Sequence, residues 1–225
     1  MSCPICAATD GWPLPHRDEP AINAWRAEIG DVAPYFWTLC AVCGNGYPST
    51  APDARALARY WQSNRSLACD DASAAGAIWA ERAAMARRGA ERSLSVLAPF
   101  VGARSGRMID IGCGLGETVA LFQQRGWVAE GIDVDAATKP FHERLGIDTR
   151  IGRFEDDTGQ SRYDLIHNAH AIYFISQPFQ FLQHVRRRLN PGGLFVVVIT
   201  NFLLATDQSL PAYPHTFFPC RLSLG

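Results

Sequence analysis

Two stretches of the sequence contain residues whose types and spacing predict a binding site, and the first is a glycine-rich turn. Gly112, Gly114 and Gly116 alternate directly after a short apolar run that contains one acid, Asp110. Glycine permits a sharp turn and lets a ligand approach the main chain closely. A buried strand, this turn and a following helical pattern predict the opening of a nucleotide-binding α/β unit.

The residues around the turn discriminate between nucleotides. A dinucleotide fingerprint would place its third glycine at position 117, where this chain has Glu117. That carboxylate would repel a pyrophosphate seated on the helix start, and Asp110 adds a second negative charge. Asp133 lies about 20 residues beyond the turn, the offset of an acceptor for ribose hydroxyls in either kind of ligand. The pattern favours an adenosine ligand with a cationic end, namely S-adenosylmethionine.

The second such stretch is a set of four cysteines among the seven in the chain. They form two Cys-x-x-Cys pairs, Cys3 with Cys6 and Cys40 with Cys43. Four thiolates complete a tetrahedral shell around zinc and leave no open position, which predicts a structural site. The alternative is two independent thiol pairs or an isolated redox pair. No βαβ pattern surrounds either pair, and this favours zinc.

Composition bounds the class of protein. The 225 residues are 48% hydrophobic and carry a formal net charge of −1. One domain with a small appendage fits this length, and the near-neutral charge argues against nucleic acid or an anionic membrane as a partner. The N-terminal residues show no charged region followed by an apolar run, so we expect no signal peptide. The expected location is the cytoplasm.

Periodicity predicts alternating strands and helices around the glycine turn. Such alternation gives a parallel sheet with right-handed crossovers, and the ligand lies at the carboxyl ends of its first strands. We expect Pro99 to end the first helix, Pro140 to reset the start of the second, and the last strand to be buried on both faces. The predicted strands are residues 108–111, 128–133, 148–151, 163–168 and 194–199, and the predicted helices are 77–97, 136–145 and 179–189.

These segments together resemble one known family. Residues 110–116 and 131–133, followed in order by 152–156, 163–166 and 189–194, resemble the class I S-adenosylmethionine-dependent methyltransferases. The resemblance implies an α/β fold, a Rossmann-like doubly wound parallel sheet, here preceded by a small zinc-binding unit. The alternative is a Rossmann-like domain that binds no cofactor, because fold alone does not give function.

The resemblance also implies the residues that would bind the cofactor. They lie in the glycine turn, at the ends of the second and fourth strands and in the loop after the third strand. They are Asp110, Gly112, Cys113, Gly114, Gly116, Asp133, Val134, Phe154, Glu155 and Asn168.

The segment after the fourth strand would face the transferred methyl group. In similar enzymes it often reads His-x-Leu-Glu-His, and His170 matches the first histidine. Tyr173 and Phe174 stand where the Glu-His pair would be, so the usual acid and one histidine are missing. His170 is the candidate general base, or it acts through hydrogen bonds alone. Tyr173 is the second candidate catalytic residue and either orients the acceptor or packs against it.

The resemblance implies an S-adenosylmethionine-dependent methyltransferase, of class EC 2.1.1, that methylates oxygen or carbon of a small-molecule acceptor. One alternative is an RNA or protein methyltransferase that docks through the zinc unit. Another is a catalytically inactive methyltransferase-like protein.

The expected domains are a zinc-ribbon-like unit at residues 1–50, a linker or lid at 51–76 and the methyltransferase domain at 77–225. Tyr60 or Trp61 would cover the cofactor or pack between the units. Beyond residue 199, Pro211, Pro214 and Pro219 discourage further elements. We therefore expect a five-stranded sheet that lacks the family's last two strands, an open edge that allows oligomers, and impaired activity.

Overall fold

The computed structural model of the chain describes residues 2–13, 37–48, 72–101, 105–172, 175 and 177–199. The chain divides into two compact units. The first contains the described residues before position 49, and the second contains the large sheet with its helices.

The N-terminal unit is a three-stranded antiparallel sheet with two cysteine knuckles. Its strands are β1 (Gly11–Pro13), β2 (Trp37–Cys40) and β3 (Gly46–Pro48), in the order β1-β2-β3. Cys3, Cys40 and Tyr47 form its small buried cluster. The knuckles have equivalent backbones, because Ala7 and Gly44, each four residues after a cysteine, both have a left-handed conformation.

The second unit alternates helices and strands as predicted. After β3 come α1 (Ala72–Val101), β4 (Arg107–Ile111), α2 (Glu117–Gln123), β5 (Val128–Asp133) and α3 (Lys139–Leu145). The chain continues through β6 (Asp148–Ile151), β7 (Tyr163–Ala169), α4 (Pro178–Arg188) and β8 (Leu189–Val198). Short 3-10 turns lie at Ala136–Thr138 and Phe154–Asp156. Pro140 lies in the first turn of α3 and so resets the helix start, as expected.

The large sheet confirms the predicted fold class. Its five described strands are all parallel, in the order β6-β5-β4-β7-β8. Strand order reverses at β4, so the carboxyl ends of β4 and β5 flank the point where α/β proteins bind ligands. The glycine turn begins there, directly after Ile111.

The core on one face of this sheet is built from α1, α2 and the central strands. Ala90, Leu94 and Leu97 recur at helical spacing on α1 and are buried, as the periodicity predicts. They pack with Val119 and Phe122 of α2 and with residues of β4, β5 and β7 in one cluster. This packing fixes the position of α2, and therefore of the glycine turn that precedes it.

The first helix is longer than predicted at both ends. It begins at Ala72, so residues 72–76, predicted as linker, are helical. It also contains Pro99 and ends at Val101, so the prediction that Pro99 ends the helix is wrong. A proline so close to a helix end removes one hydrogen bond to the carbonyl four residues earlier, which one last turn tolerates.

The last described strand also departs from expectation. β8 begins at Leu189, and the predicted turn at 191–193 forms an irregularity within it, where the register moves from Tyr163–Leu189 to Leu165–Leu194. The six apolar residues were predicted to be buried on both faces. They are half-buried up to Val198, and Ile199 is 48% exposed. Among the described residues, β8 is an edge strand, which explains the greater exposure.

The predictions for residues 51–71 and 200–225, including the lid residues and the shortened C-terminus, lie outside the described residues. Within the described part of the chain, no helix is both long and apolar enough to cross a membrane.

Candidate active site

The three glycines of the turn all have the left-handed backbone that favours glycine. Their φ angles are 72° at Gly112, 53° at Gly114 and 84° at Gly116. The Gly112 amide donates to the Ile132 carbonyl at 2.8 Å, and the Gly116 amide donates to the Cys113 carbonyl at 2.9 Å. The sequence prediction of a tight turn between β4 and α2 is confirmed.

The three glycines differ in what surrounds them. A Cβ added to Gly112 would overlap the Ala171 side chain, and one added to Gly116 would overlap Ile147. A Cβ on Gly114 would meet no atom of the described residues within 4 Å. Gly114 is therefore the glycine that faces open space, where a ligand could approach the backbone.

Asp133 joins the end of β5 to this turn. One oxygen, Oδ2, accepts the Gly114 amide at 2.7 Å, and the other, Oδ1, accepts the Asp135 amide at 2.8 Å. Burial raises the pKa of the Asp133 carboxyl, while the two backbone hydrogen bonds oppose that rise. Each carboxylate oxygen has two acceptor positions. Asp133 therefore retains capacity for a pair of ligand hydroxyls.

Asp110 forms a buried pair with a histidine of the neighbouring strand. Its Oδ1 lies 2.7 Å from His167 Nδ1, and both side chains are almost fully buried. Burial alone would lower the pKa of His167, but the charge and hydrogen bond of Asp110 raise it overall. His167 is a buried residue of β7, and its ring provides a hydrogen-bond partner for the buried Asp110 carboxyl group.

This pairing corrects the electrostatic argument made from sequence. Asp110 and Glu117 were both taken as unbalanced negative charges beside the ligand. Glu117 lies 3.5 Å from Arg87, and Asp110 lies 2.7 Å from His167, so each acid has a basic residue as its partner. Asp133, by contrast, accepts hydrogen bonds from two backbone amides. The negative charge available to a cationic ligand is therefore centred on Asp133.

Asn168 and Cys113, two further predicted residues, differ in the surroundings of their side chains. Asn168 is fully buried at the end of β7, where Nδ2 donates to the Ile111 carbonyl at 3.4 Å and Oδ1 has no hydrogen-bond partner in the described structure. Cys113 points its side chain into the core, against Gly131 of β5. Burial raises the pKa of this thiol well above its ordinary value. Only the backbone of Cys113 could contact a ligand.

The remaining predicted residues follow β5 and β6 and differ in their exposure. Val134, directly after β5, is exposed, and Glu155, in the loop after β6, pairs with Arg153 at 3.0 Å. Phe154 is 1% exposed and packs edge-on against His184 and Phe181 of α4. The Phe154 side chain therefore anchors the loop to the core, which leaves Val134 and Glu155 as the accessible members of the predicted set.

His170 stands directly after β7 in a left-handed conformation, with φ of 60°. Its amide donates to the Val198 carbonyl at 2.9 Å, which holds the backbone in place. A non-glycine residue in this region is strained, and such strain clusters at functional sites. Partial burial, and then the charge of His167, lower the pKa of His170 below its ordinary value. Tyr173, the other predicted catalytic residue, lies outside the described residues.

The four cysteines of the N-terminal unit meet at one point. Their sulfur atoms all lie within 4.8 Å of one another, with 3.6 Å between Cys3 and Cys43 and 3.5 Å between Cys6 and Cys40. A tetrahedron of zinc–sulfur bonds of about 2.3 Å has edges of about 3.8 Å, close to these separations. The pairs face each other, so the alternative of two independent thiol pairs is wrong.

The thiols of this cluster differ in their pKa values. Backbone hydrogen bonds, first from Cys43 and also from Val42, lower the pKa of Cys40 to about 6 despite its burial. The Asn45 backbone opposes a rise at Cys43, yet burial and the neighbouring sulfurs raise its pKa to about 12. Crowded thiols resist simultaneous ionisation, and a divalent cation removes that resistance.

Sequence reasoning missed one residue that touches the turn. His142 on α3 is 1% exposed, and its Nε2 lies 2.7 Å from the Gly114 carbonyl oxygen. The helix was predicted, but a lone histidine within it gives no signal of a contact with a turn 28 residues earlier.

Comparison with known proteins identifies the family to which this chain belongs. A family model described as "Methyltransferase domain" matches residues 79–221. A ubiquinone biosynthesis O-methyltransferase from Bradyrhizobium sp. is 32% identical over 42% of this chain. A protein of the same name from Cereibacter sphaeroides is 31% identical over 49% of this chain. The matches span 40% and 47% of those two relatives, so the chain spans less than half of their length.

Solved structures also overlap this chain in part. An amino pentose methyltransferase from Micromonospora echinaspora is 22% identical, covers 52% of this chain and 55% of its own, and has a TM-score of 0.45. A possible histamine N-methyltransferase from Thermotoga maritima is 20% identical, covers 54% and 56%, and has a TM-score of 0.44.

Proposed function

This chain belongs to the methyltransferase domain family, and on that basis we propose that it is an S-adenosylmethionine-dependent methyltransferase acting on an oxygen of a small-molecule acceptor. The observation that carries the proposal is the joining of Asp133 to Gly114 at the switch point of the sheet. The oxygen acceptor is supported by the name shared by the curated relatives.

The residues around the turn fit this cofactor. Gly114 leaves open space beside the backbone, Asp133 has spare acceptor capacity for the ribose hydroxyls, and Asn168 Oδ1 is a buried acceptor without a partner. In this proposal Asn168 receives the amino group of the methionine part, and Val134 and Glu155 border the adenine. When bound, S-adenosylmethionine supplies a sulfonium methyl group for in-line substitution.

His170 is the proposed general base. Its lowered pKa keeps the imidazole neutral at neutral pH, so it can accept the proton of an acceptor hydroxyl. His170 directly follows β7, at the same edge of the sheet as the glycine turn, and its backbone is strained. Tyr173 retains its predicted role of orienting the acceptor.

The four-cysteine cluster is proposed to hold one structural zinc ion per chain. Four thiolates leave the metal no open position, so its role is to fold the N-terminal unit. Reduced thiols in this arrangement favour the cytoplasm as the location. The proposed division remains a zinc unit at 1–50 and a methyltransferase domain whose first helix begins at Ala72.

The experiment that tests the proposal measures transfer of labelled methyl groups from S-adenosylmethionine to a panel of phenols, alcohols and amines. We expect transfer to hydroxyl compounds, with a rate that rises with pH through the lowered pKa of His170. His170→Ala and His170→Asn separate the two roles of His170. Asn tolerates the left-handed backbone and keeps hydrogen bonding but cannot take the proton.

If His170 is the base, both variants lose about 10²- to 10⁴-fold in kcat. Retention of activity in His170→Asn alone would show that His170 acts through hydrogen bonds. Transfer to amines only would contradict the oxygen acceptor.

A further inference from the structure

His142 contacts the glycine turn at the Gly114 carbonyl group. One ring nitrogen, Nε2, lies 2.7 Å from the Gly114 carbonyl oxygen, and the other, Nδ1, lies 2.9 Å from Thr149 Oγ1. His142 is 1% exposed, and Thr149 belongs to β6. The ring therefore connects the turn after β4 to a strand two positions away in the sheet.

The hydrogen-bond partners define the tautomer of this ring. A carbonyl oxygen only accepts, so Nε2 must carry the proton and donate it to Gly114. In the neutral ring Nδ1 is then an acceptor, and the Thr149 hydroxyl can donate to it. Thr149 thus favours the tautomer that lets His142 hold the turn.

The amide and the carbonyl group of Gly114 are therefore both fixed by hydrogen bonds to side chains. Its amide donates to Asp133 at 2.7 Å, and its carbonyl accepts from His142. The ring also fills the space beside Gly116, where an added Cβ would lie 3.1 Å from His142 Cδ2. Gly114, which alone among the three turn glycines faces open space within the described part of the chain, is therefore fixed by two side chains that come from β5 and α3.

We propose that His142 is a positioning residue for cofactor binding, with Thr149 as the residue that selects its tautomer. His142 holds the Gly114 peptide in the orientation that an adenosine ligand meets, and it does so without touching that ligand. This inference rests on the proposed function, since it assigns Gly114 to the cofactor site. A ring that only fills core volume would leave affinity unchanged when its nitrogens are replaced by carbon.

Calorimetric titration with S-adenosylhomocysteine tests the proposal in the full chain. His142→Phe keeps the volume and removes both hydrogen bonds, and we expect affinity to fall about tenfold. His142→Gln keeps an N–H donor at similar reach and should restore part of that loss. Thr149→Val removes the hydroxyl and should weaken binding about threefold, whereas the matched control Thr149→Ser keeps it and should bind like the wild type.

A second readout does not depend on the ligand. Amide hydrogen exchange of Gly114 and Gly116 in the free protein should accelerate in His142→Phe and in Thr149→Val, and remain slow in Thr149→Ser. If the wild type binds no S-adenosylhomocysteine, the proposed function fails, while the exchange rates still test the positioning role. Wild-type affinity and wild-type exchange in a folded His142→Phe, or in Thr149→Val should His142→Phe fail to fold, would overturn the inference.

Discussion

Asp110 and His167 form a buried pair one residue away from the start of the glycine turn, on adjacent strands of the sheet. A buried carboxylate is stable only when it is paired or hydrogen-bonded. The 2.7 Å contact meets that requirement and leaves Asp133 as the acid with acceptor capacity for a ligand. At the scale of single residues, Asp110 is therefore a structural acid, and Asp133 is the acid that we propose for ligand binding.

The pair predicts a pH dependence of stability. The pKa of His167 is raised in the folded state above the ordinary value of about 6.5. The stabilisation is then fully present below that pH and is lost as pH rises through the raised value. We expect the free energy of unfolding, measured by urea titration, to fall with pH in this window.

The variant His167→Gln should remove this part of the pH dependence, because Gln does not titrate. The difference between wild type and variant reports the titration of His167 together with its effect on His170, whose pKa the charge of His167 lowers. An identical pH profile in the two proteins would contradict the assignment.

Single residues were predictable where spacing along the chain carries the information. The glycines and Asp133 follow from a local pattern at the end of two consecutive strands. The partner of Asp110 lies 57 residues away and the contact of His142 with the turn spans 28 residues. Such pairs depend on strand order and register, which side-chain periodicity alone does not specify.

At the scale of the element, the glycine turn offers a matched pair of substitutions. Gly114→Ala places a methyl group in open space, while Gly116→Ala places one against Ile147. Both incur left-handed strain of about 1–2 kcal/mol. We expect Gly114→Ala to lose only that much stability but to lose cofactor binding, and Gly116→Ala to lose more stability because of the added overlap.

Denaturant unfolding and calorimetric titration with S-adenosylhomocysteine measure the two effects separately. Normal binding by Gly114→Ala would show that the ligand does not approach this glycine. Equal stability of the two variants would mean that Ile147 moves away at no cost.

Elements were predicted well where their ends have local signals. The bounds of β5 and β6 match the prediction, and β6 lies between two glycines, Gly146 and Gly152, that mark turns. The extent of α1 and β8 was wrong because packing decided it. Leu97 and Val101 are buried in the core and carry the helix past Pro99. Leu189 pairs with Tyr163 and begins β8 before the expected turn.

At the scale of the whole molecule, the two units should respond differently to metal removal. The freshly purified, reduced protein should carry about one zinc per chain. Cys40→Ser should release the metal and unfold the N-terminal unit, while the parallel sheet stays folded. Metal analysis and circular dichroism measure these outcomes.

Cys113→Ala is the matched control, because Cys113 is a buried cysteine of the large sheet and not a member of the cluster. Its zinc content should equal that of the wild type. Zinc-free wild-type protein, or full zinc content in Cys40→Ser, would contradict the metal site.

Association through the open edge of β8 stays a prediction.

Calorimetric titration of the full chain with S-adenosylhomocysteine and, in parallel, with NAD tests whether the glycine turn binds S-adenosylmethionine. We predict one saturable site for S-adenosylhomocysteine and none for NAD. Asp133→Ala should weaken binding by about 1–3 kcal/mol, because the ribose hydroxyls lose a charged acceptor. Tight NAD binding, or no S-adenosylhomocysteine binding by the wild type, would refute the cofactor assignment.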